Sequence, residues 1–207
     1  MSSPWLGISL ADYEGHMASA EVQQSGALSD LFAEALAFRR PASVAILGIA
    51  GGNGLDRIDS NLTQRMVGID INPLYLDAIR QRHAALHGLE LHCIDLAKQT
   101  LQLEPVQLVH AALIFEHAGV GRCLGNAISL AAAGGALSVV LQLPSATEQG
   151  VGIDGPTPIR KLKTHFSFVD PALFRQSLEA RAFRLTHETL RSLPAGKRFW
   201  MGIFVQK

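Results

Sequence analysis

A glycine-rich stretch follows the first buried apolar run of the chain. Residues 44–47 are apolar, and glycines then recur from Gly48 to Gly54. Glycine allows a backbone to turn with positive φ and to approach a ligand within contact distance. A buried strand that runs into such a loop is typical of the first half of a nucleotide site. The loop lacks the G-x-G-x-x-G spacing of dinucleotide-binding enzymes, which disfavours NAD as the ligand.

Two carboxylates stand at the ends of the next two apolar runs. Asp70 ends residues 66–70, where a carboxylate can accept hydrogen bonds from both hydroxyls of a ribose. Asp95 follows residues 89–94 and could accept a hydrogen bond from an adenine amino group. A single aspartate at a strand end more often caps a loop. The glycine loop and both acids at matching strand ends together favour an adenosine site.

A polar pair follows the fourth apolar run, residues 108–115. Glu116 and His117 come next, and His117 has a side chain that can act as a base near neutral pH. The same pair could instead cap the next helix. His83 and His87 are also four residues apart, but no third ligand accompanies them, so no metal site is predicted.

The N-terminal stretch, residues 1–27, carries an unusual density of Trp, Tyr, His and Met side chains between residues 5 and 17. We call this segment the leader. Tyr13 and His16 are candidates for a ligand-facing role if the leader covers the site. An aromatic leader can equally be a strap packed on the core or a dimer contact. It shows no strand or helix of its own in the pattern.

The order of apolar runs and breakers predicts the elements that position these residues. Strands are expected at residues 43–47, 66–70, 89–94, 108–115 and 136–143, with helices capped by Ser29, opened by Asn72-Pro73, and spanning 120–133 up to Gly134-Gly135. Strand and helix alternate, which indicates a parallel sheet covered on both faces.

The end of the chain departs from this alternation. After a helix opened by Asp170-Pro171, residues 183–190 and 198–205 predict an antiparallel hairpin. The last strand is apolar on both faces, so we expect it to be inserted inside the sheet. Residues 144–169 form a long connection at the carboxyl edge of the sheet, where open α/β sheets place ligands.

Composition excludes several classes of protein. The 207 residues include 18 Lys and Arg and 18 Asp and Glu, so no net positive charge attracts nucleic acid. No signal peptide or membrane-spanning run is present, which predicts a soluble, cytoplasmic, single-domain protein without a membrane partner. Cys93 and Cys123 lack a paired spacing and are predicted to be core thiols in a reducing compartment.

These motifs in this order resemble the class I S-adenosylmethionine (SAM)-dependent methyltransferases. The resemblance rests on the glycine loop, Gly68-Ile69-Asp70, Ile94-Asp95-Leu96, the run into Phe115-Glu116-His117 and the closing hairpin, and it covers residues 28–207. It implies an α/β, Rossmann-like, doubly wound seven-stranded sheet in the order 3-2-1-4-5-7-6, with strand 7 antiparallel. The leader would then be a lid over the cofactor.

The resemblance also implies a cofactor site and its residues. The cofactor would contact Gly48, Ala50, Gly51, Gly52, Asn53, Gly54, Asp70, Ile71, Asp95, Leu96 and Phe115, while Glu116, His117, Tyr13 and His16 would face the reaction. The chain departs from the family pattern at two positions, with Gly48 at an acidic position and Ala50 at the first glycine. Asp56 could compensate for the missing acid, although an acid there is more typical of a helix first turn.

The leading hypothesis is therefore methyl transfer to a small-molecule acceptor. A catalytically silent SAM-binding or partner-binding domain of the same fold is the alternative. An NAD-dependent reductase would need a dinucleotide loop and a Tyr-Lys proton relay, and the sequence offers neither. The acceptor, its atom type and the oligomeric state stay open, because pocket shape rather than a motif decides specificity.

Overall fold

The computed structural model describes residues 3–19, 22–144, 157–194 and 196–207, which form one mixed sheet with helices on both faces. The strands are β1 (Ser43–Leu47), β2 (Arg65–Asp70), β3 (Leu89–Cys93), β4 (Val106–Ala112), β5 (Ala131–Leu143), β6 (Phe183–Ser192) and β7 (Arg198–Gln206). The helices are α1 (Leu10–Ala18), α2 (Gln24–Arg39), α3 (Pro73–Arg82), α4 (Phe115–Ala118), α5 (Gly121–Leu130), α6 (Thr157–Arg160) and α7 (Pro171–Glu179). Short 3-10 turns occupy Pro4–Gly7, Leu55–Arg57 and Lys161–His165.

The predicted strand order is confirmed. The seven strands lie in the order β3-β2-β1-β4-β5-β7-β6. β7 pairs antiparallel with both β5 and β6, whereas β1 to β5 pair in parallel. Because β1 to β5 are parallel, the residues that follow them meet at one edge of the sheet.

β7 is buried on both faces, as its apolar sequence predicts. Trp200 and Phe204 belong to the core on one face of the sheet, with α5 and α7. Phe199 and Met201 belong to the core on the other face, with α2 and α3. A strand that contributes to two cores lies inside the sheet, because at an edge it would expose one row of apolar side chains.

Two predicted helix starts are confirmed and follow from local chemistry. The Asn72 side chain accepts a hydrogen bond from the Leu74 amide at 3.0 Å, and the Asp170 carboxylate accepts one from the Ala172 amide at 2.7 Å. In both cases proline occupies the first helical position, where it requires no amide partner. In the described ranges, no helix is long and apolar enough to cross a membrane.

The helical boundaries near the leader differ from the prediction. α2 begins at Gln24, so Ser29 is not its cap; the Ser29 hydroxyl instead accepts a hydrogen bond from Arg57 Nε at 3.0 Å. The leader, expected to lack a helix, contains α1, which Ser9 caps by accepting from the Asp12 amide at 3.1 Å. Gln24 in α2 and Met17 in α1 are both buried. Packing against the rest of the fold therefore stabilises helix in segments where the sequence pattern alone does not predict it.

Two predicted boundaries and one burial assignment are wrong. β4 ends at Ala112, and Phe115 opens α4 rather than closing the strand. α5 stops at Leu130, so Gly134-Gly135 lies within β5, where pairing with β4 shifts register and Gly134 takes φ +69°. The partner strand therefore overrides the local helix signal. Cys123 is buried as expected, but Cys93 is exposed.

The long connection after β5 is described only in part. Residues 145–156 lie outside the described residues. The remainder forms α6 and the following 3-10 turn, and the Ser167 amide donates to the Glu116 carbonyl at 2.9 Å. This segment therefore lies beside the end of β4.

Candidate functional site

A cavity of about 350 Å³ lies at the carboxyl edge of the parallel strands. Of the site residues predicted from sequence, its lining contains Tyr13, His16, Gly48, Ala50, Asp70, Ile71, Asp95, Leu96 and His117. Gly51, Gly52, Asn53, Gly54, Phe115 and Glu116 lie outside it. The volume falls within the usual range for a small-molecule site.

The glycine loop contributes its first residues to the cavity. Gly48 has φ +71°, and a Cβ there would lie 3.0 Å from Ile114 Cδ1, so a larger residue would be strained. Ala50 has φ +47°, an uncommon conformation for a residue with a Cβ. Its amide donates a hydrogen bond to Asp70 Oδ2 at 2.9 Å, which holds it in this conformation.

The remaining residues of the loop pack against neighbouring helices rather than lining the cavity. A Cβ on Gly51 would collide with the Glu14 carboxylate, and one on Gly54 would lie 2.9 Å from the Phe32 ring. The Asn53 side chain donates to the Ser25 carbonyl at 2.9 Å. These residues pack the loop against α1 and α2 and away from the cavity.

Asp70 connects the glycine loop to the start of α3. Besides Ala50, its carboxylate accepts a hydrogen bond from the Asn72 amide at 2.9 Å. Burial raises the pKa of Asp70, and the hydrogen bonds from the backbone amides oppose that rise. Ala50 donates to Oδ2 and Asn72 to Oδ1, and the Ile71 amide also contributes. A carboxylate has about four lone-pair sites, so it can still accept a hydrogen bond from a donor in the cavity.

Asp95 marks the next position along the same edge. Its Oδ1 accepts from the Ala97 amide at 3.0 Å, and its Oδ2 lies 3.1 Å from Lys98 Nζ. The apolar side chains of Ile71 and Leu96 line the cavity with it. A carboxylate bordered by aliphatic side chains provides a polar contact at the rim and a flat apolar surface beside it.

The structure separates the three residues at the end of β4. Phe115 is buried and packs 4.9 Å from the Phe174 ring, outside the main cavity. Glu116 lines a second cavity, and its Oε1 accepts from the Gln142 amide at 2.8 Å. Burial raises the pKa of Glu116 to about 7. Of the three, only His117 borders the main cavity, and it also lines the second cavity.

His117 is buried between aromatic rings. Its ring meets the Trp5 ring edge-to-face at 4.9 Å and the Phe166 ring at 5.3 Å. Burial, with a smaller contribution from His165, lowers the pKa of His117 to about 4. The imidazole is therefore neutral at physiological pH and able to accept a proton or a hydrogen bond.

Tyr13 and His16 reach the cavity from α1. Burial raises the pKa of Tyr13 above its usual range, and the charges of Asp70 and Glu14 add to this effect, so the phenol stays protonated. Burial and the charge of Lys197 lower the pKa of His16. Both side chains therefore present neutral hydrogen-bonding groups to the cavity.

The leader is attached to α3 and its cap by polar contacts. Asn72 Nδ2 donates to the Trp5 carbonyl at 3.0 Å, and the Tyr75 hydroxyl donates to the Ile8 carbonyl at 3.1 Å. Arg82 forms a bidentate ion pair with Glu14, including Nη2 to Oε2 at 3.0 Å. These contacts hold the leader beside the part of the cavity that Asp70 lines.

Among the polar residues of the cavity that the sequence analysis did not predict are three buried side chains that end in an amide or an ammonium group. Gln24, Gln142 and Lys197 line the cavity, with exposed fractions of 4%, 3% and 3%. They belong to the start of α2, the end of β5 and the β6–β7 hairpin. Gln142 ends a predicted strand, and this position could have suggested it. Lys197 lies in a predicted turn, where a lysine normally points to solvent, so only the fold reveals its burial.

Comparison with known proteins shows structural but no sequence similarity. No protein-family model and no curated protein sequence matches the chain. The N-methyltransferase NodS from Bradyrhizobium japonicum WM9, crystallised with S-adenosyl-L-homocysteine (SAH), superposes with a TM-score of 0.67 and 14% identity, covering 88% of this chain and 87% of that one.

Two further structures have the same architecture. The magnesium protoporphyrin IX methyltransferase ChlM from Synechocystis PCC 6803 with bound SAM gives a TM-score of 0.63 and 13% identity, covering 86% of this chain and 78% of that one. The [4+2]-cyclase SpnF gives a TM-score of 0.67 and 13% identity, covering 89% and 81%. The chain has the fold of the class I SAM-dependent methyltransferases.

Proposed function

We propose that the protein transfers a methyl group from SAM to a small-molecule acceptor. The observation that carries this proposal is the single cavity that Asp70, Asp95 and His117 line together. This cavity lies where the fold places ligands, at the carboxyl edge of the strands.

The chemistry of the donor set fits SAM. The Asp70 carboxylate would accept hydrogen bonds from the ribose hydroxyls, and Asp95 would accept one from the adenine amino group. Ile71 and Leu96 would contact the flat adenine ring. The backbone at Gly48, which carries no Cβ, would lie against the methionine part.

When bound, SAM supplies an electrophilic methyl group on a sulfonium, which is transferred by in-line displacement. The protein's own residues have to position the acceptor and exclude water. Trp5 and Tyr13, whose rings lie 5.7 Å apart, would close the cavity from the leader side. His117 is neutral and can accept a proton from an acceptor that must lose one, although its lowered pKa makes it a weak base.

Calorimetric titration of the purified protein with SAM, SAH and NADH tests the cofactor assignment. We expect SAM and SAH to bind and NADH to give no heat of binding. A response to NADH with none to either adenosyl compound would contradict the proposal. SAH release from SAM in the presence of candidate acceptors then tests transfer itself.

A silent SAM-binding domain is the second candidate. Gly48 provides no carboxylate for the cofactor's ammonium group, and its φ of +71° with Ile114 at 3.0 Å disfavours an acidic side chain there. The structural similarity to a protein described as a cyclase shows that this fold accommodates other activities. SAM binding without methyl transfer to any acceptor tested would favour this candidate.

A further inference from the structure

A second cavity adjoins the main one at His117. Its described lining comes from α4 and the residues after it, from residues 165–170 and from the first turns of α7. His117, Ala118 and His165 line both cavities. Asp70 and Asp95, which are proposed to hold the cofactor, line only the main one. The second cavity is therefore separate from the proposed cofactor position and next to the proposed transfer position.

Glu116 borders this second cavity and has an unpaired oxygen. The residue is 2% exposed, and its Oε1 accepts a hydrogen bond from the Gln142 amide at 2.8 Å. Its Oε2 is buried and has no hydrogen-bond partner among the described residues. His117 Nδ1 is also buried and without a partner in that part of the chain. Because buried polar atoms are usually paired, these two atoms indicate a ligand that would satisfy them.

The titratable groups of the lining favour a cation. They are the side chains of Glu116, His117, His165 and Asp170, and the described lining contains no lysine or arginine. Burial lowers the pKa of His117 to about 4, so its imidazole is neutral and would accept a hydrogen bond from an ammonium group. The same ammonium group would pair with the Glu116 carboxylate.

The remaining wall of the second cavity is apolar and partly open to solvent. Phe168, Leu173 and Phe174 belong to it. Phe174 is buried, whereas Phe168 and Leu173 are 38% and 64% exposed. An aromatic or alkyl body would bury apolar surface here, and the faces of the phenylalanine rings attract a cation. These features together fit an amine that carries an apolar body.

We propose that the methyl acceptor is an apolar amine whose ammonium group binds Glu116 in the second cavity. The proposal rests on the proposed function and specifies its substrate class. A bound ammonium nitrogen has three N–H donors and no free lone pair, so it cannot itself receive the methyl group. The methyl group would go to another atom of the same molecule, which reaches the main cavity past His117 and Ala118. Glu116 would thus determine specificity without taking part in the displacement.

Matched amine and alcohol probes test this assignment. With the protein saturated with SAH, binding of tyramine and tyrosol, and of tryptamine and tryptophol, is measured by calorimetry at pH 8. The members of each pair differ only in an ammonium or a hydroxyl group. We expect at least one amine to bind at least tenfold more tightly than its alcohol. Glu116→Gln should abolish this preference, and Glu179→Gln, which changes an exposed glutamate of α7 outside both cavities, should leave it intact.

The pH dependence of amine binding supplies a second readout. Burial raises the pKa of Glu116 to about 7, so this carboxyl group is largely protonated at pH 6 and largely ionised at pH 8. The affinity for the amine should therefore rise about tenfold between these pH values. At pH 6 the bound ammonium group should displace roughly one proton, which calorimetry in buffers of different ionisation enthalpy measures. His165→Gln should keep both effects, and their loss in that variant would overturn the assignment to Glu116.

A variant at the rim of the cavity keeps the test valid if Glu116→Gln fails to fold. Leu173 is 64% exposed, so its substitution leaves the core intact. Leu173→Lys should weaken binding of the amine severalfold and leave the alcohol unchanged, because the added charge repels a cation. Leu173→Gln is the uncharged control and should affect both probes alike. Equal effects of the two substitutions on the amine would contradict a bound cation.

The outcomes distinguish this proposal from the proposed function. If each alcohol binds as tightly as its amine, or if the preference for the amine survives in Glu116→Gln, the amine assignment is wrong even though SAH binds. If Glu116→Gln weakens SAH binding at least tenfold, Glu116 serves the cofactor, and the assignment is also wrong. Failure of SAH to bind the wild-type protein would overturn the proposed function first.

Discussion

Replacing Asp70 with alanine would remove a carboxylate that has two roles. It accepts hydrogen bonds from the Ala50 and Asn72 amides, each at 2.9 Å, and it borders the proposed ribose position. Loss of charged hydrogen bonds to the ribose should weaken SAH binding by about 1.5–3 kcal/mol, or roughly 10- to 150-fold in Kd.

The Asp70→Ala substitution should change the free energy of unfolding less than it changes the free energy of SAH binding. The backbone amides of Ala50, Ile71 and Asn72 lose a charged acceptor, and each amide that stays buried and unpaired costs about 1–3 kcal/mol. Burial, however, raises the pKa of Asp70, which means that the fold disfavours its charge, and the substitution relieves that cost. We therefore expect the free energy of unfolding to fall by only about 1–2 kcal/mol.

Calorimetry with SAH and urea denaturation give the two quantities separately. Asp59→Ala is the matched control, because Asp59 also accepts a backbone hydrogen bond, from the Asn61 amide at 2.9 Å, but lies outside the cavity. The control should leave the Kd for SAH unchanged. An unchanged Kd in a folded Asp70→Ala variant would refute the assignment of Asp70 to the ribose.

Three further predictions concern protonation and the leader. The raised pKa of Glu116 means that the folded state keeps its proton between pH 4.5 and about 7 while the unfolded chain loses it, so stability falls as pH rises through this window. The free energy of unfolding of Glu116→Gln, measured by urea denaturation relative to wild type, should therefore increase by on the order of 3 kcal/mol when the pH is raised from 5 to 8. The same difference from wild type at both pH values would contradict a buried, protonated carboxyl group. The His117 ring should titrate near pH 4 by NMR, and a midpoint in the usual histidine range would show that the ring contacts water. Tyr75→Phe should lose about 0.5–1.5 kcal/mol of stability and speed amide hydrogen exchange in α1, because the hydrogen bond to the Ile8 carbonyl anchors the leader, and unchanged exchange there would show that other contacts suffice.

The leader itself has two interpretations that hydrogen exchange with and without SAH can separate. As a lid, residues 5–17 should gain protection when SAH binds, because closure excludes water from the transfer step. As a strap, they should be protected in both states. The ion pair of Glu14 with Arg82 and the Asn72 contact to Trp5 hold the leader in the position described, so any opening must break them.

Sequence reasoning failed where a distant segment decides a local conformation. Gly134-Gly135 resembles a helix stop, yet pairing of Ala131 with Val106 draws the whole segment into β5. Ser29 resembles a helix cap, yet α2 continues back to Gln24 because that residue is buried. Local propensities are worth fractions of a kcal/mol, so tertiary packing overrides them.

The sequence by itself determined the sheet and the two carboxylates of the candidate site. Apolar runs set the strands. Asp70 ends β2 and Asp95 lies two residues after β3, so parallel topology brings both acids to one edge. The two-sided apolar pattern of β7 likewise required a central position. Only the tertiary structure placed Glu116 outside the cavity and brought Gln24 and Lys197 into it. These residues lie far apart in the chain, and their burial depends on how helices, hairpin and leader pack, which no local spacing specifies.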